Sequence, residues 1–355
     1  MVLLAVRLHS YAQSDSTWNS APSIKVSGYA DVFYAYDFNQ PESGIRQKFL
    51  YNHNRHNQFN LNFGYLKIAA LHQKYRANLA LHSGTYVADN YSSEPELLKN
   101  IFEANAGISL TRKANLWLDA GIFGSHIGFE GAISIDNWTL TRSLLAENSP
   151  YYLTGAKLTF KPNQKWEMAA LVCNGWQRIQ SVRGNSILSA GTQLKWMPNE
   201  KSNWNWSTFI GTNDPDSIRR MRYFNNFYGQ FQLSAKVGLI AGFDIGFQQS
   251  ARGSNDYKGW FSPVAIVRYR LSTHWYAAFR AEYYQDKSLI VINSPPANCF
   301  QVSGFSLNVD YSPIQAISCR LEGRWLSSAE KIFERKSEPG RNNVALVASM
   351  AVKLE

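Results

Sequence analysis

Residues 260–285 (WFSPVAIVRYRLSTHWYAAFRAEYYQ) constrain the fold more than any other stretch of the chain. In steps of two, Phe261, Ala265, Val267, Tyr269 and Leu271 share one face, and Arg268 and Arg270 the other. After Ser272-Thr273-His274 the alternation resumes, with Trp275, Ala277, Phe279, Ala281 and Tyr283 opposite Tyr276, Arg280 and Glu282. A period of two is a strand, and two such runs joined by three turn residues are a hairpin. A soluble sandwich turns the charged face to water and buries the apolar one. A membrane barrel inverts this, with lipid outside and water within.

The rest of the chain separates these two geometries. None of its 355 residues fall in a run approaching the roughly 18 apolar residues of a helical span. Barrel strands carry apolar residues at only about half their positions, so the membrane stays open as an environment. Aromatics make up 14%, with 19 Tyr, 20 Phe and 11 Trp, a supply suited to girdles at two water–lipid interfaces. The net charge of +10 is spread along the whole chain. With no basic block and no recognition-helix pattern, it argues against nucleic acid and for a solvated surface or one facing anionic head groups. Cys173, Cys299 and Cys319 are odd in number and far apart, and they fit neither a metal site nor a disulfide framework.

The apolar run at residues 2–6, with Ser10-Tyr11-Ala12 before Gln13, predicts a partial signal peptide over 1–12. A periplasmic lead-in over 13–23 and a single barrel domain over 24–355 follow. The first alternating runs cover 25–37, 58–71 and 75–87, with a parity slip near Tyr65-Leu66 that marks a bulge. Brief connections fall near 72–74, 112–113, 161–164, 197–202, 234–235, 272–274 and 312–313. Long ones fall near 39–56, 88–98, 126–150, 177–185, 213–221, 251–256, 286–298 and 328–341. Seven short and eight long connections join sixteen strands and place both termini on the short-turn side. That asymmetry belongs to outer-membrane barrels, with short periplasmic turns and long extracellular loops.

Charges also keep to one parity. Val237, Leu239, Ala241, Phe243, Ile245 and Phe247 oppose Lys236, Asp244 and Gln248; Cys319, Leu321 and Trp325 oppose Arg320, Glu322 and Arg324. A lipid-facing charge at the midplane costs about 2–4 kcal/mol, so lipid exposure enforces this segregation. The fold class read from the sequence is all-β, a transmembrane antiparallel up-and-down β-barrel of about sixteen strands.

Residues 117–160 open and close as strands, but their middle does not alternate. Residues 139–146 suit a helical turn or two, with Leu140, Leu144 and Leu145 forming an apolar patch. Such a loop either folds into the barrel and narrows it, with Asp136, Arg142 and Glu147 as constriction charges, or caps the rim from outside. The run GIFGSHIGFE followed by DNWTLTRSLLAENSPYY, with Gly84-Thr85-Tyr86-Val87 and Asp89-Asn90-Tyr91 upstream, resembles the beta-barrel porin-2 (OmpL-like) outer-membrane family, common in Bacteroidota. By spacing, the resemblance extends over residues 24–354. It implies one outer-membrane barrel and a porin role, without a known solute. The sequence departs from barrels in general by ending Ala351-Val352-Lys353-Leu354-Glu355, with Leu354 where an aromatic usually stands.

Catalytic readings find little support. Ser125, His126 and Glu130 lie close in sequence, but neighbours on a strand point to opposite faces, so Ser125 and His126 diverge if the strand continues. Asp214, Asp216, Glu94 and Glu96 are possible oxygen ligands without the spacing of a calcium loop. No phosphate loop, HExxH or CxxC motif occurs. The chain therefore reads as a non-enzyme without cofactor or metal.

Function is placed in the lumen. The polar parity predicts inward Lys25, Arg76, Lys157, Lys195, Lys236, Arg268, Arg270, Arg280, Arg320 and Arg324. The inward acids are Asp31, Asp37, Glu103, Asp119, Glu167, Asp244, Glu282, Asp310 and Glu322. The arginines cluster toward the C-terminal end. Facing acids and bases across a pore order water and favour small polar solutes; alternatively they pair and brace the wall. The leading expectation is a porin for passive diffusion of small hydrophilic solutes or ions. The alternative is a closed barrel acting as an adhesin or binding module through its long loops. Expected partners are outer-membrane lipid and lipopolysaccharide, the solute and the barrel-assembly machinery, with no nucleic acid; the sequence leaves a monomer and a homo-oligomer both open.

Overall fold

In the computed structural model, residues 16–292, 298–336 and 338–355 are described. The expected signal peptide over 1–12 lies outside them, as does part of the lead-in. Sixteen antiparallel strands close into one barrel, each paired with its neighbours in sequence. The first eight are β1 (Ser23–Asp37), β2 (Phe59–Leu71), β3 (Tyr75–Ser83), β4 (Ile101–Ser109), β5 (Leu116–Gly124), β6 (Tyr152–Asn163), β7 (Trp166–Cys173) and β8 (Ser189–Asn199). The second eight are β9 (Ser202–Gly211), β10 (Arg222–Gln232), β11 (Val237–Gln249), β12 (Tyr257–Arg270), β13 (Trp275–Asp286), β14 (Phe300–Ile314), β15 (Ile317–Ser328) and β16 (Asn342–Leu354). β1 pairs with both β2 and β16, from Gly28 opposite Leu354 to Asp37 opposite Ala345. Closure leaves no unpaired edge, the condition for a sheet to cross hydrocarbon.

The long–short alternation holds around the ring, and both strand termini sit at the short-turn end. Local boundaries move. The turn expected near 312–313 is at 315–316, since β14 runs on to Ile314. The bulge sits at Asn62, where the β1–β2 register jumps between Asp31–Phe63 and Val32–Leu61, rather than at Tyr65-Leu66. The third strand stops at Ser83, short of the expected 87. Gly84 takes φ +131°, where a Cβ would lie 2.4 Å from the Asn62 carbonyl oxygen, and the chain turns into α1 (Thr85–Asn90).

The outside of the barrel is apolar where a soluble protein's would be polar. Ile68, Leu79, Ile108, Phe243, Val267, Phe279, Leu307, Leu321 and Leu346 are all exposed. At the short-turn end this belt is bounded by aromatics, including Trp204, Trp206, Tyr269, Trp275 and Tyr311, with the Trp275 and Tyr311 rings 4.8 Å apart. Toward the long loops stand Tyr223, Phe247 and Tyr257. An apolar band between aromatic girdles is the surface of a barrel embedded in the outer membrane. Among the described residues no helix is long and apolar enough to cross a membrane.

The interior is only partly polar. From the long-loop end to mid-strand and beyond, the inward positions of the later strands include Trp260, Val264, Ile266, Tyr284, Phe300, Val302 and Leu326, all buried. Of these, Trp260, Tyr284, Phe300, Val302 and Leu326 join Phe49, Leu144, Trp176, Phe209 and Phe333 in an apolar cluster inside the barrel, and Val264 and Ile266 pack with Leu145 and Ile240 in a second one. The inward parity of the later strands thus carries charge over only part of its length, and the loops supply the partners for the rest.

Candidate functional site: the lumen and its inward loop

The 125–151 loop enters the barrel and crosses it. One anchor lies on β8 to β10. His126 Nε2 donates to the Thr208 carbonyl (2.8 Å), its own carbonyl accepts from Gln193 (2.8 Å) and Ser207 (2.7 Å), and the Gly128 N–H reaches Asn226 Oδ1 (3.1 Å). The other anchor lies on β13 to β15. Glu322 accepts from the Thr141 N–H (2.6 Å) and Oγ1 (2.7 Å), and Asn308 accepts from the Leu140 N–H (3.1 Å). Glu282 accepts from the Leu144 N–H (2.7 Å) at the start of α2 (Leu144–Glu147). The short helix sits at the end of the expected 139–146 segment, and Leu140, Leu144 and Leu145 are buried as an inward loop requires.

Strand β11 makes room for this loop through small inward residues. A Cβ on Gly238 would lie 2.5 Å from the Trp138 ring, and one on Gly242 would lie 2.8 Å from the Phe129 ring. On Gly246 it would lie 2.1 Å from the ring of Trp260. Glycine spaced every four residues on the inward parity clears a groove for aromatic rings.

The C-terminal charges hold the loop. Arg280 donates to Thr139 Oγ1 (2.8 Å), the Thr141 carbonyl and Glu322 (2.8 Å), at 0% exposure. Arg324 pairs with Glu282 at 2.7 Å. Arg320 pairs with Asp310 at 2.7 Å and donates to the Asn137 carbonyl (3.1 Å). These five residues, with Glu322, are buried beneath the loop, whereas Arg268 is half-buried and 3.7 Å from Asp310, and Arg270 is exposed. Asp244 is buried and accepts from Asn226 (2.6 Å), with no cation paired to it among the described residues.

The constriction candidates separate. Arg142 and Glu147 pair at 3.2 Å in full burial, and Arg142 lies 3.4 Å over the Tyr151 ring. Asp136 sits low in the lumen, 3.3 Å from Lys353. Glu130 accepts from the N–H (3.1 Å) and hydroxyl of Ser143, the cap of α2. Burial raises the Glu130 carboxyl, with Arg280 and the Ser143 bonds opposing. Burial lowers His126 to about 4, the nearby Lys157 and Lys195 adding to this and the Thr208 bond opposing it. Ser125, His126 and Glu130 face separate partners, so they form no nucleophile–base–carboxylate set.

The remaining acids of interest are also occupied. Glu94 accepts from Tyr152 and the Ile179 N–H, Glu96 pairs with Lys99, and Asp214 and Asp216 pair with Arg220 and Arg219. No group of three or more His, Cys, Asp or Glu suited to a metal occurs among the described residues.

The opposite wall is different. Lys67–Glu103 (2.7 Å), Arg76–Asp119 (2.5 Å) and Lys195–Glu167 (3.5 Å) line β2 to β8. Their side chains are 18–33% exposed, Asp119 excepted. Lys157, over the Phe123 ring at 4.7 Å, has no ion pair among the described residues.

Sequence reasoning missed the second inward loop. Residues 38–58 bring the N–H groups of Tyr51 and Asn52 to Glu147 (3.0 and 3.3 Å), and His53 donates to Asp31 (2.9 Å). The rhythm of connections placed 39–56 only among the long extracellular loops, and a lumen lined with carboxylates satisfies its Asn and His side chains.

A closed sixteen-stranded barrel with an apolar belt and a loop across its lumen is a porin-type outer-membrane protein. The chain belongs to the family described as "Putative beta-barrel porin-2, OmpL-like", matched over residues 23–354. Solved structures share the fold. An anion-selective porin from Comamonas acidovorans aligns at TM-score 0.61 and 8% identity, over 94% of this chain and 100% of that one. The outer-membrane channel DcaP of Acinetobacter baumannii aligns at 0.59 and 11%, over 93% and 97%. Salmonella typhi OmpF, in complex with daunomycin, aligns at 0.62 and 10%, over 95% and 99%. A search of curated protein sequences finds no match.

Proposed function

We propose that the protein is a porin that passes small hydrophilic solutes or ions passively, along the side of the lumen lined by β2 to β8. The observation that carries this reading is the partial exposure of Lys67, Glu103, Arg76, Glu167 and Lys195 on the inner wall. Ion pairs sealed in a core look like Arg280–Glu322, at 0% exposure on both sides; these instead meet water inside the barrel. Alternating charge along a wet wall suits polar solutes and carries no reaction. Reconstitution in planar bilayers tests it. The expected result is small, stable conductance steps, and insertion without conductance would defeat the reading.

The second reading, a closed barrel that binds through its loops, rests on a specific observation too. The 38–58 and 125–151 loops and the apolar cluster of Phe49, Trp176, Phe300 and Phe333 fill much of the lumen toward the long-loop end. Under that reading conductance appears only when the 125–151 loop is released. In either case the proposed partners are outer-membrane lipid and lipopolysaccharide around the belt and the assembly machinery that inserts it.

A further inference from the structure

At the short-turn end, beneath the inward loop, two cavities of about 490 and 330 Å³ meet at Trp138 and Gln232. Trp138 is half-buried. One side of it packs with Phe129 against Leu145, Ile240 and Ile266, in the notch left by Gly238, and the rest borders both cavities. Lys165 and Lys201 line the larger cavity; Lys236, Arg268 and Arg270 line the smaller, beside Tyr276.

The charge here differs from that elsewhere in the lumen. There, Lys67, Arg76, Arg142, Lys195, Arg280, Arg320 and Arg324 each meet an acid, while Arg46 and Arg222 are held by the His53 carbonyl and Gln248. Among the described residues the only ion pair formed by these five cations is Arg268–Asp310, a loose 3.7 Å. Glu200 also borders the larger cavity. Five cations against Glu200 and Asp310 leave an excess of three positive charges around one indole. Unpaired cations in a concave, partly enclosed site focus a positive potential into it. An aromatic face offers stacking to a planar ring. The volumes lie in the range of small-molecule sites, roughly 300–1,000 Å³.

From this we infer that the short-turn mouth is a binding site for small anionic solutes that carry a planar ring. The ring stacks on Trp138, and Lys236, Arg268 and Arg270 receive a phosphate or carboxylate on one side of it. Lys165 and Lys201 add attraction from the other side. Such a site holds solute at the periplasmic end of the lumen, and it stands whether or not the barrel conducts.

The test uses the full chain refolded in detergent and calorimetric titration with adenosine 5′-monophosphate, adenosine and inorganic phosphate. The nucleotide is expected to bind at least tenfold tighter than either adenosine or phosphate, about 1.4 kcal/mol. K236Q/R270Q, at exposed positions that leave the barrel's packing alone, is expected to weaken the nucleotide at least tenfold and adenosine hardly at all. W138A is expected to weaken the nucleotide and leave phosphate unchanged. Should W138A misfold, G238A displaces the same ring from its notch and is expected to act in the same direction. No nucleotide binding up to about 5 mM, or equal binding by wild type and K236Q/R270Q, overturns the site. Equal loss of nucleotide and phosphate in W138A overturns the stacking role.

Discussion

The two walls of this barrel use the same residue types for opposite purposes. On β13 to β15, arginine and glutamate are buried to 0–6% and their bonds run into the crossing loop. On β2 to β8, ion pairs of 2.5–3.5 Å are partly exposed and touch no loop backbone. The difference lies in what each charge would lose with its partner. A buried carboxylate shared between Arg280 and Thr141 is a structural joint. A partly exposed Lys–Glu pair is a local field on the inner wall, one that a solute would meet under the proposed function.

That contrast is exposed to measurement, most sharply at Glu322. Glu322→Ala leaves Arg280 buried without its nearest acid and strips two bonds from Thr141. Losing one partner of a buried pair costs about 3–5 kcal/mol. Denaturant unfolding of the refolded barrel should show that loss, together with larger or noisier conductance as the loop comes free. Glu103→Ala on the other wall should cost less than about 1 kcal/mol. If the two variants unfold alike, the distinction between joint and field is wrong.

Acidification attacks the anchor on β8 to β10. His126 is held neutral, with its folded pKa lowered to about 4 from 6.5. A lowered histidine contributes stability that is complete above its unfolded pKa and is lost as pH falls toward the folded value. The window is therefore between about pH 6.5 and 4, with a ceiling on the order of 3 kcal/mol. Glu130, whose pKa is raised, works in the opposite direction, and protonation eases its burial. Loop release followed by conductance against pH should shift in His126→Gln. An unchanged profile would move the acid-sensitive step elsewhere.

Packing gives a smaller effect. Gly246→Ala would place a Cβ 2.1 Å from the Trp260 ring, an overpacking worth about 1–3 kcal/mol. Gly323, with nothing within 4 Å of the added Cβ, should accept alanine within about 0.5 kcal/mol. Thermal unfolding of the pair checks whether the lumen side is the crowded one. Last, Lys157→Gln on the wet wall should leave stability within about 1 kcal/mol and shift reversal potentials toward cations. A stability loss without a selectivity change would make that wall structural as well.

Much of this was legible in the chain itself. Alternation in 260–285 assigned Val267, Tyr269 and Phe279 to the outside correctly, because strand geometry fixes side-chain direction every second residue. The rhythm of turns gave the strand number and the side of the termini. The inward parity of Arg280, Arg320 and Arg324 was equally readable. Their burial was not, since parity tells which face a side chain occupies and nothing of what fills the space before it.

The sequence by itself determined a closed barrel for a membrane, since period-two alternation with charges confined to one face has few other stable solutions. Only the tertiary structure decided what the barrel contains. The loop lies inside because Glu282, Asn308 and Glu322, from three strands, converge on the backbone at 140–144. Those contacts span more than 130 residues of chain, a separation at which no local pattern leaves a trace.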